Sequence, residues 1–114
     1  MASSHRTNDI LAICGTLLRR GGVWTNGTPE HGPPLRMCLF KLKAPVEIRY
    51  YAIAEPVPGT KTFRPVRPKQ LTITHNGRSM FVVKWDKAGK RRKAKDEVGP
   101  WEAILRRTAS VEAA

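Results

Sequence analysis

Residues 71–85 read Leu71-Thr72-Ile73-Thr74-His75-Asn76-Gly77-Arg78-Ser79-Met80-Phe81-Val82-Val83-Lys84-Trp85. Two β-rich runs flank Asn76-Gly77, the pair that best accepts the positive φ angles of a type I′ turn. This stretch predicts a hairpin, and with it an antiparallel sheet. A regular two-residue turn sets Ile73 opposite Met80 and Leu71 opposite Val82 on one side. The other side then carries Thr72 against Phe81 and Gln70 against Val83, with Trp85 beyond. The first side is apolar and the second mixed, so the second is expected to be only partly covered. The same register sets Lys69 against Lys84, a like-charge pair that is mildly destabilising unless an anion sits between them.

Working outward, the run from Val46 to Ala54 alternates. Val46, Ile48, Tyr50 and Ala52 fall on one side, and Glu47, Arg49, Tyr51 and Ile53 on the other, as in a half-buried strand. Arg36 to Leu42 is a further β-rich run, joined to it by Lys43-Ala44-Pro45. Between these runs and the hairpin, Glu55 to Pro68 contains Pro56, Pro58, Pro65 and Pro68. Proline lacks the N–H that a ladder needs, so this segment is expected to be a loop or a sheet edge. Gly21 to Pro34 reads as loop, with Trp24 its one large apolar residue. Within it, Asn26-Gly27-Thr28 matches a glycosylation sequon and is read as a turn.

Helices close the chain at both ends. Ile10, Leu11, Ile13, Cys14, Leu17 and Leu18 share one helical face within Thr7 to Arg20. Thr7 or Asn8 is the expected cap, Asp9 suits the start, Arg19 and Arg20 suit the last turn, and Gly21-Gly22 ends it. At the other end Pro100 opens a short helix carrying Trp101, Ile104 and Leu105, with Glu102 near its start and Arg106 and Arg107 near its end. The expected fold class is α+β: an N-terminal helix, a small antiparallel sheet of about four strands including the 71–85 hairpin, and a short C-terminal helix.

The chain has 114 residues, which fits a single domain spanning 1–114 that buries enough apolar surface to fold alone. Residues 1–6 and 109–114 are expected to fray, and 86–99 to form a flexible basic segment. Hydrophobic residues make up 40% and charged residues 26%, an ordinary globular balance that argues against a wholly disordered chain. No run approaches the ~20 apolar residues of a membrane span, and no lipidation signal or basic amphipathic anchor is visible. Residues 1–9 are polar, unlike a secretory signal. Cys14 and Cys38 lie within apolar runs, where a free cysteine acts as a small hydrophobe. The expected compartment is intracellular: cytoplasmic, or nuclear if the basic run 87–95 acts as an import signal.

Charge is the outlying quantity. Lys and Arg number 21 against 9 Asp and Glu, a formal net charge of +12. Such a chain repels itself, and a polyanion is the usual compensating partner. Lys87, Lys90, Arg91, Arg92, Lys93 and Lys95 crowd into residues 87–95, a block suited to neutralising phosphates or to being a solvated linker. A second, dispersed set lies on or beside the strands, with Arg64, Arg67, Arg78 and Lys84 expected to form a positive sheet face. Tyr51 and Phe63 are the candidates for stacking on bases, while Tyr50 should point inward.

The two cysteines and His5, His31 and His75 form no close-spaced zinc pattern, and neither a phosphate-binding glycine loop nor a nucleophile motif is present. No cofactor, metal or catalytic residue is therefore expected, and the chain is read as a non-enzyme. The leading expectation is a nucleic-acid-binding protein. It would grip the phosphates of RNA or DNA largely without sequence specificity, as a viral or phage-encoded binding protein would, and a homodimer would double its contacts. The alternative is an interaction or inhibitor module docking on an acidic protein through Trp24, Trp85 or Trp101.

Overall fold

The computed structural model describes residues 2–26, 35–42 and 45–113. The elements run α1 (Ala2–Gly21), β1 (Val23–Asn26), β2 (Leu35–Lys41), β3 (Val46–Pro56), β4 (Phe63–His75), β5 (Arg78–Trp85), β6 (Arg91–Asp96) and α2 (Trp101–Ala113). The strands form one antiparallel sheet in the order β1-β2-β3-β4-β5-β6, an uninterrupted meander. The class is α+β, as expected. The sheet is larger than the expected four or so strands, because β1 forms within the presumed loop after α1 and β6 within the basic segment. The Gly27–Thr28 part of the expected turn and the Lys43-Ala44 link lie outside the described residues.

Both helices pack on one face of the sheet. Ile10, Cys14 and Leu17 of α1, and Trp101 and Leu105 of α2, share a core with Val46, Ile48, Leu71, Ile73, Phe81 and Val83. Each large apolar side chain removed from water here contributes roughly 1.5–3 kcal/mol, which makes this inner face the main source of stability. The β3 alternation is as read: Val46, Ile48 and Ala52 are fully buried, and Tyr50 points inward, half-buried.

The hairpin turn forms at Asn76-Gly77, with φ of 54° and 81°. Its register differs from expectation. His75 pairs with Arg78 and Thr74 with Ser79, but Ile73 then pairs with Phe81, leaving Met80 as the extra residue of a β-bulge. Leu71 faces Val83, Thr72 faces Val82, and Lys84 stands opposite Gln70 rather than Lys69. The cause is hydrophobic. A regular register would send Phe81 and Val83 to the polar side, whereas one extra residue moves both to the face of Ile73 and Leu71. Met80 remains buried, and its carbonyl accepts a hydrogen bond from the Glu97 amide at 2.8 Å.

The proline-rich segment resolves as an edge. From Phe63 to Lys69, β4 pairs only with β3, and pairing to β5 begins at Gln70. Pro65 and Pro68 therefore lie where one side of the strand has no partner to disappoint. Register shifts beside Ala52 and Ala54 leave Val66 and Lys69 as extra residues.

Helix α1 starts at Ala2, earlier than Thr7, so Thr7, Asn8 and Asp9 are interior and not capping. Thr7 is buried. Arg6 ties this first stretch to the far end of the chain: its guanidinium pairs with Asp96 and with Glu102 of α2, and it lies 5.8 Å over the Trp101 ring. Helix α2 begins at Trp101, one residue after the expected Pro100, and continues to Ala113, so Arg106 and Arg107 sit within it and not near its end. The Trp101 indole N–H donates to the Glu97 carbonyl at 2.7 Å. Cys14 and Cys38 are free and buried, and burial pushes the Cys38 thiol pKa up to about 11.

Candidate nucleic-acid interface

Side chains of a strand alternate between faces, and directly paired residues share one. The ladder therefore assigns each residue to the helix side or to the outer side, which neither helix covers. One outer row crosses the whole sheet: Thr25, Met37, Tyr51, Gln70, Lys84 and Arg92. The next comprises Val23, Leu39, Arg49, Thr72, Val82 and Lys95. Arg64 and Arg67 extend this face along β4 opposite Glu55 and Ile53. The outer face is thus divided: apolar toward β1 and β2, cationic toward β4, β5 and β6.

Carboxylates neutralise part of it. Glu47 holds Arg49 at 3.2 Å and Lys41 at 4.0 Å, Glu55 pairs with Arg64, and Glu97 holds Lys95 at 2.9 Å. Lys84, Arg92 and Arg67 have no ion-pair partner among the described residues, and Lys84 and Arg92 stand directly opposite each other. The like-charge conflict expected between Lys69 and Lys84 exists, then, but between Lys84 and Arg92. Gln70 donates to the Thr72 hydroxyl at 2.9 Å, leaving its amide oxygen available on the same row.

The basic run is ordered by its turn. The Asp86 carboxylate accepts from the amides of Ala88 and Lys90, both at 2.9 Å, and Gly89 takes φ of 83°. Lys87 and Lys90 stand exposed in that turn, and the strand after it divides the charges between faces. Arg92 and Lys95 are on the outer face. Arg91 is opposite Trp85 and Lys93 opposite Val83, both on the helix side. Lys93 is held there by Asp96 at 3.1 Å. Burial alone would raise the Asp96 carboxyl pKa, but hydrogen bonds from Arg6 and Lys93 outweigh it and hold the group below the usual carboxylate range. The hydrogen bond from Lys95 does the same for Glu97. Charges along an edge strand also deter pairing with another chain, so part of this run serves the fold.

Of the expected contact residues, Tyr51, Arg64, Arg67, Lys84, Arg92 and Lys95 therefore share the outer face, with Lys87 and Lys90 at its corner. Arg78 instead turns to Glu97 at 2.7 Å. Phe63 lies on the helix side, under the Arg36 guanidinium at 4.2 Å and edge-on to Trp24 at 6.1 Å. Among the described residues, Tyr51 is the one aromatic of the outer face. Gln70 and Thr72 were not legible as site residues, because only the bulge places them between Tyr51 and the cations.

The helix side holds a recess of about 550 Å³ between the second half of α1 and the inner ends of the strands. Trp24, Tyr50, Phe63 and Trp85 stand around it, edge-on to one another in sequence at 6.1–6.5 Å. Among the described residues no group of three or more His, Cys, Asp or Glu is placed to hold a metal ion, and no helix is long and apolar enough to cross a membrane. No family model, curated protein or solved structure matches the chain.

Proposed function

We propose that the chain binds nucleic acid, RNA or DNA, across the outer face of its sheet, contacting the phosphate backbone largely without sequence specificity. The observation that carries this reading is the Lys84–Arg92 cross-strand pair. Two cations are held side by side with no carboxylate between them, on a face that no helix covers, beside Arg67 and Lys95. Such an arrangement costs stability in the free protein and is relieved by a bound anion. The amide oxygen of Gln70 offers a hydrogen bond next to these charges, Thr72 being buried and holding the Gln70 amide in place, and Tyr51 offers a ring to one base. Such a protein works in the cytoplasm or nucleus, and pairing of two copies would double its contacts. The acidic-protein alternative draws less support, since Trp101 is fully buried and Trp24 and Trp85 lie on the helix side, half-buried around a recess.

The test is binding to labelled single- and double-stranded RNA and DNA of equal length across a salt series. A variant combining Lys84→Ala, Arg92→Ala and Lys95→Ala serves as the comparison. Log affinity should fall linearly with log salt, and each lost phosphate contact should reduce the slope by ~0.7–0.9. Absence of binding to all four at low salt would refute the reading and direct attention to a protein partner.

A further inference from the structure

Of the fold's large aromatic residues, Phe81 and Trp101 are fully buried with rings 5.6 Å apart, as core aromatics are. Trp24, Tyr50, Phe63 and Trp85 differ. All four are only half-buried, on the face that packs against the helices, and they stand around the recess. Its volume of about 550 Å³ lies within the ~300–1,000 Å³ of small-ligand sites.

The opposite wall is unusual in a complementary way. Leu11, Gly15, Leu18 and Arg19 form one stripe of α1 facing the recess. Gly15 stands mid-helix, where glycine costs up to about 1 kcal/mol relative to alanine. A side chain there would enter the cavity, so the helix gives up stability at the position that keeps the recess open. One cation lines the wall, Arg19, with its Nη1 3.2 Å from where a Gly15 Cβ would stand, and a second, Arg91, pairs with the lining residue Trp85 on the same face of the sheet. A planar aromatic ring attached to an anion fits this combination of π faces and guanidinium groups.

We propose that the recess walled by Trp24, Tyr50, Phe63 and Trp85 binds the base of a nucleotide, its phosphate directed to Arg19 and Arg91. The base can come from a free mononucleotide or from an unpaired position in a bound strand. Consecutive residues of β6 connect the two faces: Arg92 belongs to the outer surface, and Arg91 to the helix side, paired with the Trp85 that lines the recess. A strand crossing the outer face can turn over this edge and insert one base. The proposal rests on the nucleic-acid reading for its ligand class, but not on the outer face for its affinity.

The experiment follows tryptophan fluorescence during titration with adenosine monophosphate, with a short single-stranded oligodeoxyadenylate, and with ribose 5-phosphate, which lacks a base. Gly15→Leu fills the recess with a better helix former, and Phe63→Leu removes one wall. Circular dichroism melts establish that each variant is folded. The combined Lys84→Ala and Arg92→Ala variant removes outer-face charge only. Adenosine monophosphate is expected to quench the fluorescence and ribose 5-phosphate to leave it unchanged. Either recess variant should weaken nucleotide binding at least about tenfold, while the outer-face variant keeps it.

Quenching by the oligonucleotide alone, lost in Gly15→Leu, would identify the strand as the source of the base. Equal nucleotide affinity in both recess variants and the parent, or no quenching by either base-containing probe, would overturn the proposal. If the oligonucleotide still bound in that last case by anisotropy, the recess would be excluded and the outer-face function retained. Nucleotide binding without strand binding would do the reverse.

Discussion

Two glycines of the same neighbourhood show how the neighbour decides the cost of a methyl group. A Cβ on Gly22 would stand 2.5 Å from the Leu18 carbonyl oxygen and 2.5 Å from Cys38 Sγ. Neither can retreat, since that carbonyl accepts the Gly22 amide at 2.9 Å and Cys38 is buried. Gly22→Ala should therefore destabilise the fold by about 1–3 kcal/mol, read by urea denaturation. Gly15→Ala meets only the mobile end of Arg19, and should be neutral or stabilising by up to about 1 kcal/mol. Equal losses at both positions would contradict the packing described.

Asp96 gives a pH prediction. Its carboxyl pKa is lower folded than unfolded, so its contribution is present above the unfolded value of 3.8 and disappears as pH falls through the folded value. Asp96→Asn should cost about 1–2 kcal/mol at neutral pH, a modest figure because Arg6 is partly exposed. The gap between the variant and parent melting curves should close as pH drops below about 4. A gap independent of pH would mean that the ion pairs contribute nothing.

Among the elements, β6 departs furthest from what its composition suggests. A stretch reading Arg91-Arg92-Lys93-Ala94-Lys95-Asp96 has neither apolar alternation nor β-branched residues. It forms a strand because the Asp86 turn brings it alongside β5, whose other edge already pairs with β4. Hydrogen exchange distinguishes this from a mobile arm. In an edge strand, amides directed to β5 are protected while those directed outward exchange freely, so protection should alternate along residues 91–96. Uniformly fast exchange would restore the arm. The bulge at Met80 was equally hidden. Turn chemistry at Asn76-Gly77 was plain, but only competition between Phe81 and Met80 for the inner face inserts the extra residue. The proline segment was legible as a loop or edge, and which of the two depended on where β5 ends.

At the scale of the whole molecule, a net charge of +12 on a small chain means self-repulsion. Raising ionic strength from ~0.01 to ~0.1 M shortens the screening length from ~30 to ~10 Å. The melting temperature should rise over that range, and rise further with a bound oligonucleotide at constant salt. A fall with salt would show that the surface ion pairs of Glu47, Glu55 and Glu97 outweigh the repulsion.

The amino-acid sequence by itself determined the two amphipathic helices, the inward side of β3, the hairpin turn and the polyanion-seeking charge. Each of these is set by residues close together in the chain, through periodicity, turn chemistry or bulk composition. Only the tertiary structure decided which cations share a surface. Four bulges set the ladder, and one shifted residue exchanges the faces of everything beyond it. Phe63 thereby passed from the supposed contact surface to a recess under α1, and Lys84 acquired a cationic neighbour, Arg92, from the basic run. Such pairings depend on burial summed over the whole sheet, which no local stretch of sequence records.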